Sequence, residues 1–593
     1  MAQCFTEVCI DVSALPVTEP LYGKLLPIVK KRIEDRCGAV CTTENPAFTL
    51  HFVLDSSIPA EGFRLDTAAD GITVSGADFL ALMYGAGQFL HKSRYTPEGI
   101  LPTAWRGQSV PQCGKRMVFF AQHFYNWYQC CSAEEITEHI EDLVLWGLNG
   151  IVSVFSVLNL TGWDDPNLKN LSELFLNTMG AAKGLGLRVG IEYSNVDFMN
   201  PRTELLADKK YLHSQTGNLI CPATEEGFAY YQSILSKILD YTDAFGGLDF
   251  ITIWAYDEGG CCCDKCWPWA GRGFYNMAHR ISKYIKNRYP RIEIWLSTWY
   301  VGRGEQQQEE WPMLYQRLQE DAAKGDNWAD YLLVEARDCM PNTAYPRTHG
   351  QPTAHTRLLT FPEISMTGLD PWGGFGANCT PNQLIQGETP FIPYCNGGYM
   401  YSEGIYDDFN KVVIAGMYWD RKRPLEETIA DYCGYELGGM DPVKLHRMVN
   451  LIEKNQQITG RWSMQPCPLE ECDEVWAIAQ TLNAAAPAHI KTYWRWRILY
   501  IRAYLDYVRY HNCAAAGWPF HMVKSNIRRW KWYWRRFMET DQQAQDMLLE
   551  LIRIYKSQEY DNHAKYAYHY YVRPPMVRGA DLERERQICG TLV

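Results

Sequence analysis

A chain of 593 residues, at about 150 residues per domain, has length for two to four domains and a large buried core. Its 57 Lys and Arg against 69 Asp and Glu give a net charge of −12, which excludes a general phosphate-backbone binder, whose footprint is basic. With 47% hydrophobic and 21% charged residues, wholesale disorder is excluded as well. The outlier is aromatic content: 13% of the chain, including 21 Trp and 37 Tyr. Flat rings with a polar tip suit sugar faces, thick cores and subunit contacts alike.

The N-terminus (MAQCFTEVCIDVSALPV) has no basic start leading into an apolar run, so it does not read as an export signal. Together with 20 scattered Cys in a chain too large to need staples, this predicts a reducing, cytoplasmic location. Residues 1–110 carry short alternating runs, Phe48–Leu54 and Gly71–Ser75, followed by a helical pattern over Asp78–His91. They read as a small α+β domain.

Over 111–425 the period becomes strand, loop, helix, repeated. Eight apolar runs of strand length stand at 116–124, 150–159, 187–195, 249–258, 293–300, 330–338, 357–366 and 397–405. Most are near-continuously apolar, as strands buried on both faces should be, with amphipathic stretches such as Ala133–Leu148 and Phe274–Arg288 between them. Their number and spacing predict an α/β fold, a (β/α)₈ TIM barrel, with a doubly wound open sheet as the rival. Leu143–Trp163 carries no charge over about the length of a membrane span. Asn149-Gly150 interrupts it, so a helix end, a turn and a buried strand are expected and no membrane association. Residues 426–593 lose the strand pattern and read as a mainly helical domain. Pro442–Thr459 and Thr540–Lys556 have helical period, and Tyr493–Tyr510 and Ile527–Phe537 are dense in Trp, Tyr and Arg. That aromatic surface would pack on the barrel or on a second copy of the chain, as a homodimer.

In such a barrel the loops at the C-terminal ends of the strands build the site. Asp257-Glu258 closes the fourth run, Glu363 the seventh and Glu403 the eighth. Carboxylates following buried strands cost several kcal/mol, on the order of other buried charges, unless they face a cleft or a partner. Acids at the same end of three strands suit glycoside hydrolysis, where one protonates the leaving oxygen and another attacks or activates water. Beside them stand Trp254, Tyr256, Trp299 and Tyr401, with Trp372 on a glycine-rich loop as the expected sugar platform. His123 ends the first run and is a candidate substrate contact or a structural histidine. Cys261, Cys263 and Cys266 have a C-x-C-x-x-C spacing that could supply three of the four ligands zinc wants. Without a fourth in sequence reach they are taken as buried thiols, and no metal or cofactor is expected.

Gly62–Leu90 (GFRLDTAADGITVSGADFLALMYGAGQFL) resembles the small domain that precedes the barrel in glycoside hydrolases of families 20 and 67. Lys115-Arg116 enters the first strand as the family 20 hexosaminidase arginine does, which implies for Arg116 a grip on hydroxyls of the terminal sugar. Asp257-Glu258 is similar to that family's Asp-Glu pair, which implies an orienting Asp and a general-acid Glu. The pattern also departs: that family places a His and Gly-Gly before the pair, whereas here Gly259-Gly260 and the cysteines come after it, and Glu363 and Glu403 have no clear hexosaminidase counterpart. A barrel followed by a helical, aromatic-rich domain looks like family 67 α-glucuronidases and family 89 α-N-acetylglucosaminidases. The resemblance implies an exo-acting glycosidase for a terminal sugar, a 2-acetamido hexose, of an oligosaccharide or glycoconjugate, with no nucleic-acid partner. An enzyme for uronic or sialic sugars is the rival, with Arg303, Arg337 and Arg347 in loops after strands five and six as its cationic clamp. A non-catalytic carbohydrate-binding protein is the third reading.

Overall fold

The computed structural model describes residues 3–18, 21–123, 126–208, 218–256, 259–335, 344–365, 376–456, 458–459, 463–464, 469–515 and 541–556. The N-terminal region forms a mixed sheet from β1 (Glu7–Asp11), β2 (Val40–Cys41), β3 (Phe48–Leu54), β4 (Phe63–Ala68), β5 (Gly71–Gly76) and β8 (Gly107–Ser109), in the order β2-β1-β3-β5-β4-β8. Two short strands, β6 (Arg94–Thr96) and β7 (Gly99–Leu101), pair as a separate hairpin. The alternation in β3 and β5 buries Leu50, Phe52, Ile72 and Val74 beneath the helix Phe79–Lys92, whose N-terminus Asp78 caps by accepting from the Ala81 N–H at 2.8 Å. That helix reaches the barrel through small residues. A Cβ at Gly87 would lie 2.0 Å from the Leu145 carbonyl oxygen, so only glycine permits this approach to helix Ala133–Leu145.

The predicted barrel is present. Eight parallel strands close on themselves: β9 (Lys115–Phe120), β10 (Gly150–Val154), β11 (Arg188–Tyr193), β12 (Phe250–Ile253), β13 (Glu293–Ser297), β14 (Tyr331–Glu335), β15 (Arg357–Phe361) and β16 (Cys395–Ser402). Helices separate them, from Ala133–Leu145 after β9 to Pro381–Glu388 before β16. Seven of the eight sequence runs overshoot the C-terminal end of their strand by three to five residues. The apolar pattern continues past the last ladder hydrogen bond there, and among the described residues Trp254, Trp299, Glu363 and Glu403 of these extensions stand at the mouth. The charge-free stretch Leu143–Trp163 resolves into a helix end, a turn at Gly147 (φ +94°) and β10. No described helix is long and apolar enough to cross a membrane.

Parity along each strand fixes the interior. Lys115, Arg188 and Glu293 plug the N-terminal end, the two cations lying each 2.8 Å from Glu293 Oε2. Above them Phe250 stacks on Trp295 at 4.0 Å between ring centroids, and Trp295 on Tyr399 at 6.1 Å. Phe119, Leu333, Phe361 and Tyr401 form the next level. Gly190 admits this packing, since a Cβ there would sit 2.2 Å from the Phe250 ring. Gly190→Ala is expected to cost about 1–3 kcal/mol by overpacking, read as a lower urea midpoint.

Beyond the barrel, helices Leu425–Tyr435, Pro442–Gln456, Leu469–Ala485, Trp494–Ala515 and Gln542–Ile554 confirm a helical C-terminal region. Within the expected aromatic surface, Ile527–Phe537 lies outside the described residues.

Candidate functional site

The mouth is built from the positions two beyond the last inward residue of each strand. Glu335 ends β14, two past inward Leu333, and pairs in register with inward Phe361. Glu363 follows two past Phe361 and bridges Tyr401 of the eighth strand. Glu403 follows two past Tyr401, whose phenol donates to Glu403 Oε1 at 2.8 Å. Three consecutive strands therefore present Glu335, Glu363 and Glu403 on one side of the mouth, 2%, 5% and 4% exposed. Neighbouring strands stand about 4.8 Å apart, so Glu363 lies within reach of Tyr401 and the carboxylate that Tyr401 holds. Glu192 adds a fourth acid opposite in register to inward Thr252. Glu192 shares the parity of Gly190, which lies against the inward Phe250 ring, and burial, then the charge of Glu192, pushes the Tyr399 phenol well above its ordinary pKa.

A buried polar network steadies the Glu403 loop. The Glu403 N–H donates to Ser365 Oγ at 2.7 Å, and Ser365 in turn donates to Asp407. Asp407 also takes Lys411, and Lys411 Nζ reaches the Gly404 carbonyl at 2.8 Å. Tyr128 Oη meets Ser402 Oγ at 2.7 Å from below. With both ions of the Asp407–Lys411 pair fully buried, the loop is held by charge-assisted bonds that water does not screen.

Aromatic side chains line the adjoining wall, after β12 and β13. Trp254 and Trp299 lie 6.3 Å apart, and each meets Phe361 edge-on at 5.4 Å. Trp299 is partly exposed, with its Nε1–H buried and without a hydrogen-bond partner among the described residues. Such a donor beside acids is available to a sugar oxygen. His123 is half-buried and stacks near Phe119 at 6.0 Å. Burial pushes its imidazole down to about 3, so near neutral pH it is an uncharged ring.

Two expected site residues do not join this group. Arg116 sits at the N-terminal end of β9, opposite the mouth, fully buried and facing outward because Met117 faces in. Its guanidinium donates to the Gly147 and Cys113 carbonyls, both at 2.7 Å, and to Glu61 at 2.6 Å. It welds the N-terminal region to the barrel and grips no sugar. Tyr256 turns into the outer core, its hydroxyl donating to buried Glu310. Glu310 also accepts the Ala270 and Gly302 N–H groups, each at 3.1 Å, so Tyr256 and Glu310 brace the loops after the fourth and fifth strands. The chain leaves the β12 ladder at Ile253, which breaks the parity that would have pointed Tyr256 inward. Asp257, Glu258, Arg337 and Trp372 lie outside the described residues.

Glu335 and Glu192 were missed in the sequence, although counting two from Leu333 and from Gly190 finds them. Behind the mouth, Cys261, Cys263 and Cys266 are joined by Cys221 from the loop after the third strand, all four Sγ atoms lying within 4.8 Å of one another. The expectation of separate buried thiols is corrected to a convergent group of four.

No protein-family model matches the sequence, and no curated protein matches it either. Solved structures do. The family 89 glycoside hydrolase from Clostridium perfringens in complex with 2-acetamido-1,2-dideoxynojirimycin is similar at a TM-score of 0.60 and 12% identity, over 96% of this chain and 74% of that one. A form of that enzyme with two glutamates replaced by glutamine, in complex with its substrate GlcNAc-α-1,4-galactose, gives 0.59 at the same identity and coverage. A family 115 4-O-methyl-α-glucuronidase with specificity for decorated arabinogalactans gives 0.52 at 12% identity, over 98% and 80%. From N-terminal sheet through barrel to helical end, the chain shares its fold with glycoside hydrolases of families 89 and 115.

Proposed function

We propose that the chain is an exo-acting glycoside hydrolase releasing a terminal 2-acetamido hexose from an oligosaccharide or glycoconjugate. The observation that carries this reading is the row Glu335, Glu363 and Glu403 at the ends of three adjacent strands, with Trp254 and Trp299 after the two strands before them. Glycoside hydrolysis needs two carboxyl groups of different protonation on either side of the scissile bond. Glu363 is assigned as nucleophile or base. Glu258, with Asp257 beside it, follows the fourth strand in sequence and is assigned to the leaving group. Glu403, oriented by Tyr401, is assigned to hydroxyls of the bound sugar, and Trp299 to its ring face. The fold shared with a family 89 enzyme whose complex holds GlcNAc-α-1,4-galactose makes α-N-acetylglucosaminides the first substrates to offer.

The test is a panel of 4-nitrophenyl glycosides of both anomers, with N-acetylated, uronic and sialic sugars included. Release from an N-acetylhexosaminide with the uronides untouched is the expected outcome. Turnover of uronides alone transfers the assignment to acidic sugars and to a clamp around Arg303. Calorimetric binding of sugars with no turnover of any of them overturns the hydrolase reading. The anomer first formed, followed by proton NMR, reports the carboxylate separation, about 5–5.5 Å for retention and roughly 6.5–9.5 Å for inversion.

A further inference from the structure

The four convergent thiols are not explained by the hydrolase site. Their separations are specific: Cys221 Sγ lies 3.5 Å from Cys261, 3.9 Å from Cys263 and 4.0 Å from Cys266. A disulfide would bring two of them to about 2.05 Å. Four thiolates placed tetrahedrally around zinc, with Zn–S near 2.3 Å, have edges of about 3.8 Å. The observed spacings bracket that edge, and all four cysteines are free.

The backbone that presents them is already shaped for it. Cys263-Asp264-Lys265-Cys266 makes a tight turn, with the Cys266 N–H donating to the Cys263 carbonyl at 2.9 Å and the Trp267 N–H to the same oxygen at 3.0 Å. Such a turn brings the two thiols of a C-x-x-C pair to one side. Cys261, two residues earlier, is fully buried. Cys221 arrives across the fold, its N–H fixed to the Leu205 carbonyl at 2.8 Å, next to bridges that pin Leu219 and Ile220. Behind the group stands buried Trp269, whose indole donates to the Ala255 carbonyl at 2.5 Å. Gly273 lets the following helix close over it, since a Cβ there would lie 2.4 Å from Trp269 and 2.8 Å from Cys266. Cys221 and Cys263 remain half-buried, which leaves an entry path for an ion.

We propose that Cys221, Cys261, Cys263 and Cys266 form a structural zinc site. Soft thiolates in a closed tetrahedral set select zinc over the hard divalent cations, and a full set of four leaves no open position for catalysis. Binding deprotonates the thiols, releases their protons to solvent, and fastens the loop after the fourth strand to the loop after the third. In sequence Cys261 stands three residues after Glu258, and Trp254, at the start of the same loop, belongs to the mouth. The inference does not depend on what the mouth hydrolyses.

The test is metal content of the untagged full chain, purified without chelator, by inductively coupled plasma mass spectrometry. One zinc per chain is expected, retained in Cys262→Ser, which alters a neighbour outside the set, and lost in Cys263→Ser and Cys221→Ser. Cobalt offered to the metal-stripped, reduced chain is expected to give thiolate-to-cobalt charge-transfer bands, and limited proteolysis within 259–275 to quicken at least tenfold when metal is removed. Wild type that carries no stoichiometric metal and takes up neither zinc nor cobalt overturns the proposal. So does stoichiometric iron, or a disulfide between any two of these cysteines in protein purified under reducing conditions. Because these readouts need no substrate, failure of the zinc site and failure of the hydrolase reading are separate results.

Discussion

Glu363→Gln is expected to lower kcat/KM by roughly 100-fold or more on the substrate that the glycoside panel identifies, with KM changed by less than about threefold. The amide keeps the shape and volume of a side chain only 5% exposed, so the urea midpoint should stay within about 0.3 M of wild type. Chemistry is what it removes. An amide neither attacks an anomeric carbon nor accepts a proton from water, and a positioned proton transfer alone contributes roughly 10²–10⁴-fold. A loss confined to kcat marks an interaction made in the transition state and not in the ground state. Glu403→Gln supplies the contrast. Its carboxylate already accepts from Tyr401 Oη, and with the role of orienting sugar hydroxyls its loss should fall largely on KM. A decline of less than about tenfold for Glu363→Gln would remove Glu363 from the chemistry and pass the role to Glu335, the neighbouring acid on β14.

The strands were legible because a parallel barrel buries both faces of each, leaving apolar runs that polar helices interrupt. The acids Glu363 and Glu403 were legible for the same reason, since charge directly after such a run needs an open space to face. Direction and facing were harder to read. The sugar-gripping role of Arg116 came only from the likeness to the hexosaminidase arginine, yet Arg116 belongs to the closed end, and its parity, one off from Met117, turns it to the N-terminal region. Tyr256 fails similarly, since β12 stops at Ile253 and the next residues no longer alternate. Glu335 was passed over inside a run that reads as uniformly apolar up to it. Cys221 could not be found from spacing at all. It stands 40 residues before Cys261, and only the closing of β11 beside β12 brings their loops together.

The largest stability effect is expected at Asp142, where the three parts of the fold meet. Asp142 lies on the barrel helix Ala133–Leu145. Arg32, from the N-terminal helix Tyr22–Glu34, donates to its Oδ1 at 2.8 Å, and Arg495, from the C-terminal helix Trp494–Ala515, donates to its Oδ2 at 2.9 Å. Burial by itself would raise the carboxyl's pKa. The two guanidinium groups, Arg32 then Arg495, outweigh it and hold the group well below the ordinary carboxylate range. Breaking a buried ion pair by neutralising one partner costs roughly 3–5 kcal/mol, because charges remain buried without their counter-ion. Here Arg32 keeps Glu141 and Arg495 keeps Asp408, which places Asp142→Asn near about 3 kcal/mol at pH 7. The pH dependence fixes the mechanism. A depressed carboxyl pKa contributes stability that is fully present above its unfolded value, near about 3.9, and is lost as pH falls below it toward the folded value. Urea midpoints of wild type and Asp142→Asn should therefore lie furthest apart at about pH 6–7 and draw together below about pH 4. A gap that persists undiminished at about pH 3 would mean that shape or hydrogen bonding, and not charge, holds the junction. Equal midpoints at neutral pH would mean that Glu141 and Asp408 suffice for the two arginines.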